Sequence, residues 1–183
     1  MRVPRRCPTA RKELRRVRQR CESVLDALDL PRPFTMNALL DHLSRRRDRP
    51  VVVQPLPGVG GPGAPCGLWL ATGTTDYICF EPSTSPLHRE QIIFHECAHV
   101  LFGHRLGADL PGIGELLPDL GPSLIRRALG RTTYTNTQEA EAEMLASLLS
   151  LHSTGHTTRA PDADDDMAAR VVDSVRRLLR GGP

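Results

Sequence analysis

PLHREQIIFHECAHVLFG, residues 86–103, reads as a single helix. It begins near Ser85 or Pro86, carries Leu87, Ile92, Ile93, Ala98, Leu101 and Phe102 at helical spacing, and meets its stop signal at Gly103 and Gly107. Inside it, His95-Glu96-Cys97-Ala98-His99 is a HExxH motif. Positions i and i+4 of a helix lie about 40° apart and about 6 Å along the axis, so both imidazoles can converge on one tetrahedral ion. Glu96 points toward the neighbouring edge of that face, where it can hold a water and take its proton. With seven His and nine Glu in 183 residues, the motif arises by chance in roughly one such sequence in a hundred. The spacing therefore points to zinc rather than to buried, hydrogen-bonded core histidines.

Two protein ligands do not complete a zinc site, because catalytic zinc takes three plus a water. A metzincin continuation would need Gly at 102 and His at 105, where the chain has Phe102 and Arg105. His104 lies about 140° around the helix from His99 and cannot join the ion while the helix continues. The candidate third ligand is Glu139, in NTQEAEAEMLASLLSL, residues 136–151, a segment rich in helix-forming Ala, Glu and Leu. Glu139 and Glu143 share a face with Ala142 and Ala146, small residues that would let this helix pack close to the HExxH helix. One carboxylate can ligate the ion while the other accepts the free N–H of a ligand imidazole. Glu141 sits about 160° from Glu143 and faces elsewhere. The competing reading is a solvated helix face bearing three Glu.

Upstream, residues 1–8 form a flexible basic tip. From Thr9 the apolar residues Leu14, Val17, Cys21, Val24, Leu25 and Leu28 recur at threes and fours until Pro31 and Pro33. Thr35 is the expected N-cap of a second helix containing Leu39, Leu40 and Leu43. Val51 to Val53 read as a short buried strand, and Gly67–Ala71 with Asp76–Phe80 as a hairpin. Residues 56–66 are a loop by their Gly and Pro content. Downstream, Ser123 to Gly130 reads as a short helix and Met167, Val171, Val175 and Leu178 as the apolar face of a last one. Asp162, Asp164, Asp165 and Asp166 offset the positive end of that last helix. The result is an α+β domain over residues 9–183, mostly helical, with a small sheet of about three strands.

The charge is unevenly distributed. Residues 1–20 hold eight Arg, one Lys and one Glu, a net of +8, so the other 163 residues carry a net of −5. The basic segment stands apart from the metal chemistry, as a solvated face, a phosphate-binding arm or a docking strip for an acidic partner. No aromatic residues interleave with it, which weighs against single-strand nucleic-acid binding. No apolar run reaches the ~20 residues of a membrane span, and no secretory leader is evident, so a cytoplasmic protein is expected. The five cysteines lack CxxC spacing and read as reduced thiols, with Cys97 packed into the buried side of its helix. Tyr134, just before the Glu helix, is either an oxyanion donor or an ordinary packed tyrosine with a hydrogen-bonded hydroxyl.

HECAHVLFGH, with HisArgGlu at 88–90 before it and GluAlaGluAlaGluMetLeuAla at 139–146 after it, resembles the ImmA/IrrE family of bacterial metallo-endopeptidases over about residues 35–150. The resemblance implies a zincin-like fold, with Zn2+ held by His95, His99 and Glu139 and with Glu96 as catalytic base. Where this chain has Glu143 the family more often has Asn or Asp, which leaves open which glutamate is the third ligand. The resemblance further implies limited, regulatory proteolysis of a cytoplasmic protein, a helix-turn-helix transcriptional repressor being the expected substrate. In zincins generally, a small sheet offers an edge to an extended substrate. Two other readings stand beside this one: a non-catalytic, zinc-containing module that binds a regulator or nucleic acid, and a toxin-like or stress-response effector.

Overall fold

A computed structural model describes residues 8–55, 66–71, 73–104 and 134–154. The expected helices at 123–130 and near Met167 to Leu178, the Asp162 to Asp166 cluster, the tip before Pro8 and most of the 56–66 loop lie outside the described residues.

Helix α1, Pro8–Asp26, buries Val17, Cys21 and Leu25, and Leu28 follows them into the core just beyond its end. This is the stripe that the spacing predicts, with Arg15, Arg16 and Arg18 exposed on the other side. Helix α2, Met36–Arg47, starts at Thr35, whose hydroxyl accepts the Ala38 N–H at 3.1 Å, and buries Leu39 and Leu43. Strands β1 (Val51–Pro55), β2 (Gly67–Ala71) and β3 (Asp76–Phe80) form a sheet in the order β1-β3-β2. The hairpin is antiparallel and pairs Trp69 with Ile78, while β1 runs parallel to β3.

One strand expectation needs correcting. Val51 is buried, but Val52 is 39% exposed and Val53 only partly covered. A run of three β-branched residues suggests burial on both faces, whereas β1 lies at the edge of the sheet and its side chains alternate. The start of β3 is fastened to α2 from below. Asp76, fully buried, accepts from Arg47 Nε at 2.7 Å and Arg49 Nε at 3.0 Å.

Helix α3, Pro86–Phe102, is capped by Ser85, which accepts the His88 N–H at 3.3 Å, and ends at Gly103 in the left-handed region (φ 65°). Helix α4, Asn136–Leu151, begins with a capping box in which Thr135 and Gln138 satisfy each other's main-chain N–H. Helix α3 packs against β2 and β3 on one side and α4 on another, and α1 packs on α4. Phe94, Cys97 and Ala98 of α3 meet a core that includes Ala140, Ala142, Leu145, Ala146 and Leu149 of α4. The alanines bring the two helix backbones close together, which positions side chains at their seam. Phe34, between α1 and α2, closes the arrangement: its N–H donates to His152 O at 3.0 Å and its carbonyl accepts from Thr154 N at 2.7 Å. The described residues thus form an α+β arrangement of four helices and a three-stranded mixed sheet.

Candidate metal centre

His95 and His99 lie one turn apart on α3, and Glu139 lies on the first turn of α4. One ligand atom from each comes within 4.8 Å of the others. The two Nε2 atoms are 3.0 Å apart, and Glu139 Oε2 is 3.4 Å from His95 Nε2. Glu143, one turn further along α4, has Oε2 3.7 Å from the opposite nitrogen, His95 Nδ1. The two carboxylates therefore divide the two sides of the His95 ring, with Glu139 on the side of the cluster and Glu143 behind it.

The charges follow from this placement. Burial disfavours a proton on His95, but the Glu139 and Glu143 carboxylates outweigh it and raise its pKa to about 10. His99 is fully buried, and burial together with His95 and His104 lowers its pKa to about 2, so it stays neutral. In the metal-free chain a protonated His95 thus supplies the N–H between two facing nitrogens. A cation bound there would replace that proton.

The residues fit such a cation. Two imidazoles and a carboxylate are the donor set of a catalytic zinc site with an open fourth position. Each histidine also has its Nδ1 engaged away from the cluster, His95 by Glu143 and His99 by His104 at 3.0 Å, which leaves both Nε2 atoms for the shared point.

Glu96 stands beside the cluster under β2. Burial, reinforced by Glu139 and partly offset by His95 and by the Trp69 main chain, raises its pKa to about 7. The close approach of Glu96 to β2 requires a glycine: a Cβ on Gly67 would collide with Ile92 Cγ2 and come within 2.8 Å of Glu96 Oε1. Cys66 pairs with Glu81, since the Glu81 N–H reaches Cys66 O at 3.2 Å. By the antiparallel alternation the main-chain groups of Gly67, Trp69 and Ala71 then face away from β3, at the edge of the sheet among the described residues.

Tyr134 stacks on His99 with ring centroids 3.7 Å apart and planes at 13°. Its hydroxyl is buried and has no hydrogen-bond partner among the described residues, unlike the satisfied hydroxyl of an ordinary packed tyrosine. Burial, with Glu96 and Glu139 nearby, raises its pKa and keeps it a donor.

Three contributors are not evident from sequence. His104 follows Gly103, and the left-handed turn there swings its ring back so that Nδ1 meets His99 Nδ1. The helix ends before His104, so the exclusion that rests on a continuous helix does not apply; the ring lies against the back of His99 instead of joining the three clustered donors. Glu141 does face away from Glu143, and it is buried against His104, with Oε2 3.1 Å from Nε2. The other oxygen of Glu141 is paired with Arg20 of α1, so the basic segment does not stand wholly apart from the site.

The chain matches no protein-family model, no curated protein and no solved structure. Among the described residues no helix is long and apolar enough to cross a membrane.

Proposed function

We propose that the chain is a zinc-dependent metallo-endopeptidase that carries out limited, regulatory proteolysis. The observation that carries this reading is the convergence of His95, His99 and Glu139 with a buried Glu96 beside them, packed against β2, which is an edge strand among the described residues. Zinc bound by the three would act as a Lewis acid toward the scissile carbonyl and acidify an attacking water.

The chain's own groups do the rest. Glu96, with a pKa near neutrality, takes the proton of the water and returns it to the leaving amine. Close packing of Glu96 against β2 at Gly67 limits where that carboxylate can sit. The outward main-chain groups of Gly67 and Ala71 pair with an extended peptide as an added strand, which fixes the register of the scissile bond. Tyr134, with an unsatisfied O–H beside His99, donates to the oxygen that gains charge. The resemblance to the ImmA/IrrE family makes a cytoplasmic helix-turn-helix repressor the first substrate to try.

The purified protein is expected to hold about one zinc per chain by elemental analysis. H95A and E139A should lose the metal, whereas E96Q should keep it and lose hydrolysis. A metal-free wild type overturns the site. Zinc kept by E139A and lost by E143A makes Glu143 the ligand. Identical uncleaved bands from wild type and E96Q against a bound repressor would favour a zinc-containing binding module instead.

A further inference from the structure

From Arg20 on α1, an unbroken line of polar contacts runs to the back of His99. The Arg20 guanidinium pairs with Glu141 Oε1, Glu141 Oε2 lies 3.1 Å from His104 Nε2, and His104 Nδ1 lies 3.0 Å from His99 Nδ1. We infer that Arg20, Glu141 and His104 are positioning residues that hold His99 as its Nδ1–H tautomer and so keep its Nε2 bare toward the metal site.

With His99 and His104 both neutral, donor and acceptor chemistry leaves one self-consistent assignment. An ionised carboxylate only accepts, so the nitrogen of His104 that faces Glu141, Nε2, carries the hydrogen. In a neutral ring the other nitrogen, Nδ1, is then a bare acceptor. Two ring nitrogens 3.0 Å apart need one hydrogen between them, and His99 Nδ1 must supply it. In neutral His99 the remaining nitrogen, Nε2, is therefore unprotonated, and it is this atom that faces His95 Nε2 and the Glu139 side of the cluster.

Two further contacts hold the relay in place. The Phe102 ring stacks on His104 with planes at 8° and centroids 5.0 Å apart, and the Arg20 guanidinium lies 5.4 Å over Phe102. Arg20 therefore acts on both the carboxylate and the aromatic stack that set the plane of the His104 ring. The Glu141 side chain is only 3% exposed, whereas Arg20 is 52% exposed, so α1 reaches the buried relay from outside.

This inference rests on the metal site proposed above, but part of its test needs no metal. In the full-length protein labelled with nitrogen-15 and kept in EDTA, long-range proton–nitrogen correlation reports the tautomer of each imidazole, with peaks assigned from single-histidine variants. The expected pattern is hydrogen on His104 Nε2 and His99 Nδ1. Hydrogen on His104 Nδ1, or on His99 Nε2 alone, overturns the inference. The tautomer pattern is decisive even if the wild type binds no zinc, a separate outcome that would sink the metal site itself.

The second arm measures zinc affinity by competition with a chromophoric chelator, alongside the visible spectrum of the cobalt(II) form. H104L, which removes the acceptor, should weaken zinc by about 10- to 100-fold and alter the cobalt bands. H104N, whose amide oxygen can accept from His99 Nδ1, should recover most of the affinity. R20A should weaken zinc in the same direction, with R20K restoring it. Each variant is melted metal-free to check folding. If H104L does not fold, the exposed Arg20 pair decides, and wild-type affinity in R20A overturns the inference.

Discussion

At the scale of single residues, the site depends on one absent side chain as much as on those present. Gly67→Ala places a methyl group against Ile92, a β-branched residue with little freedom to yield, and against Glu96. The expected cost is about 1–3 kcal/mol of stability, read as a lowered denaturation midpoint, and the proposed hydrolysis should fall further because Glu96 moves. The four described cysteines divide by burial. Cys21, Cys79 and Cys97 are buried, and desolvation first of all raises their pKa values, to about 12 for Cys21 and about 11 for Cys79. Thiol labelling of the folded protein near neutral pH, read by mass spectrometry, should modify the exposed Cys66 and spare these three; early labelling of Cys97 would contradict the packing described. His95, Glu96 and His99 are legible in the sequence because a helix turns i and i+4 to one side, and Glu139 and Glu143 because small residues share their face. His104 is legible only as a non-ligand, since the reach of its ring back to His99 depends on the left-handed turn at Gly103. Arg20 and Glu141 are separated by 121 positions, and no local pattern pairs them.

Among the elements, all seven described helices and strands are readable, six from punctuation and period and α4 from its Ala, Glu and Leu content. Thr35 and Ser85 each cap a helix and Gly103 ends one, whereas the Thr135 cap of α4 is seen only in the structure. The direction and neighbour of β1 are not readable, because three valines carry no information about which strand they pair with or which face stays wet. Asp76 illustrates the same limit. Its burial beneath Arg47 and Arg49 follows from the parallel pairing of β1 with β3, which places Val51 opposite Asp76. Helix α4 carries both a cap and the candidate third ligand within its first turn. Removing the Thr135 hydroxyl as Thr135→Ala should cost about 1 kcal/mol and fray the turn that bears Glu139. Zinc affinity and thermal midpoint should fall together. A variant that loses stability but holds zinc as tightly as the parent would show that Glu139 is positioned by packing rather than by the cap.

For the molecule as a whole, the candidate site is a seam between α3 and α4, so whatever binds there should also hold the fold together. A ligand at 100 times its dissociation constant stabilises the folded state by about 2.7 kcal/mol. Melting with zinc should therefore exceed melting in EDTA by several degrees, and E139A should abolish the difference. From sequence the +8 segment reads as separable, yet α1 buries Val17, Cys21 and Leu25 in the common core, and Cys21 Sγ lies 3.5 Å from Glu141 O. Composition reveals where charge lies along the chain and not what it lies against. The bridge from Phe34 to Ser153 adds a constraint in time. It joins positions about 120 apart, as do the contacts of α1 with Glu141, so these closures come only once nearly the whole described chain is available. On the ribosome both histidines of α3 would emerge well before Glu139, and α1 would wait longer still for its partner helix. A nascent chain would therefore carry a two-histidine fragment of the centre, and metal would be captured firmly only after synthesis has passed α4.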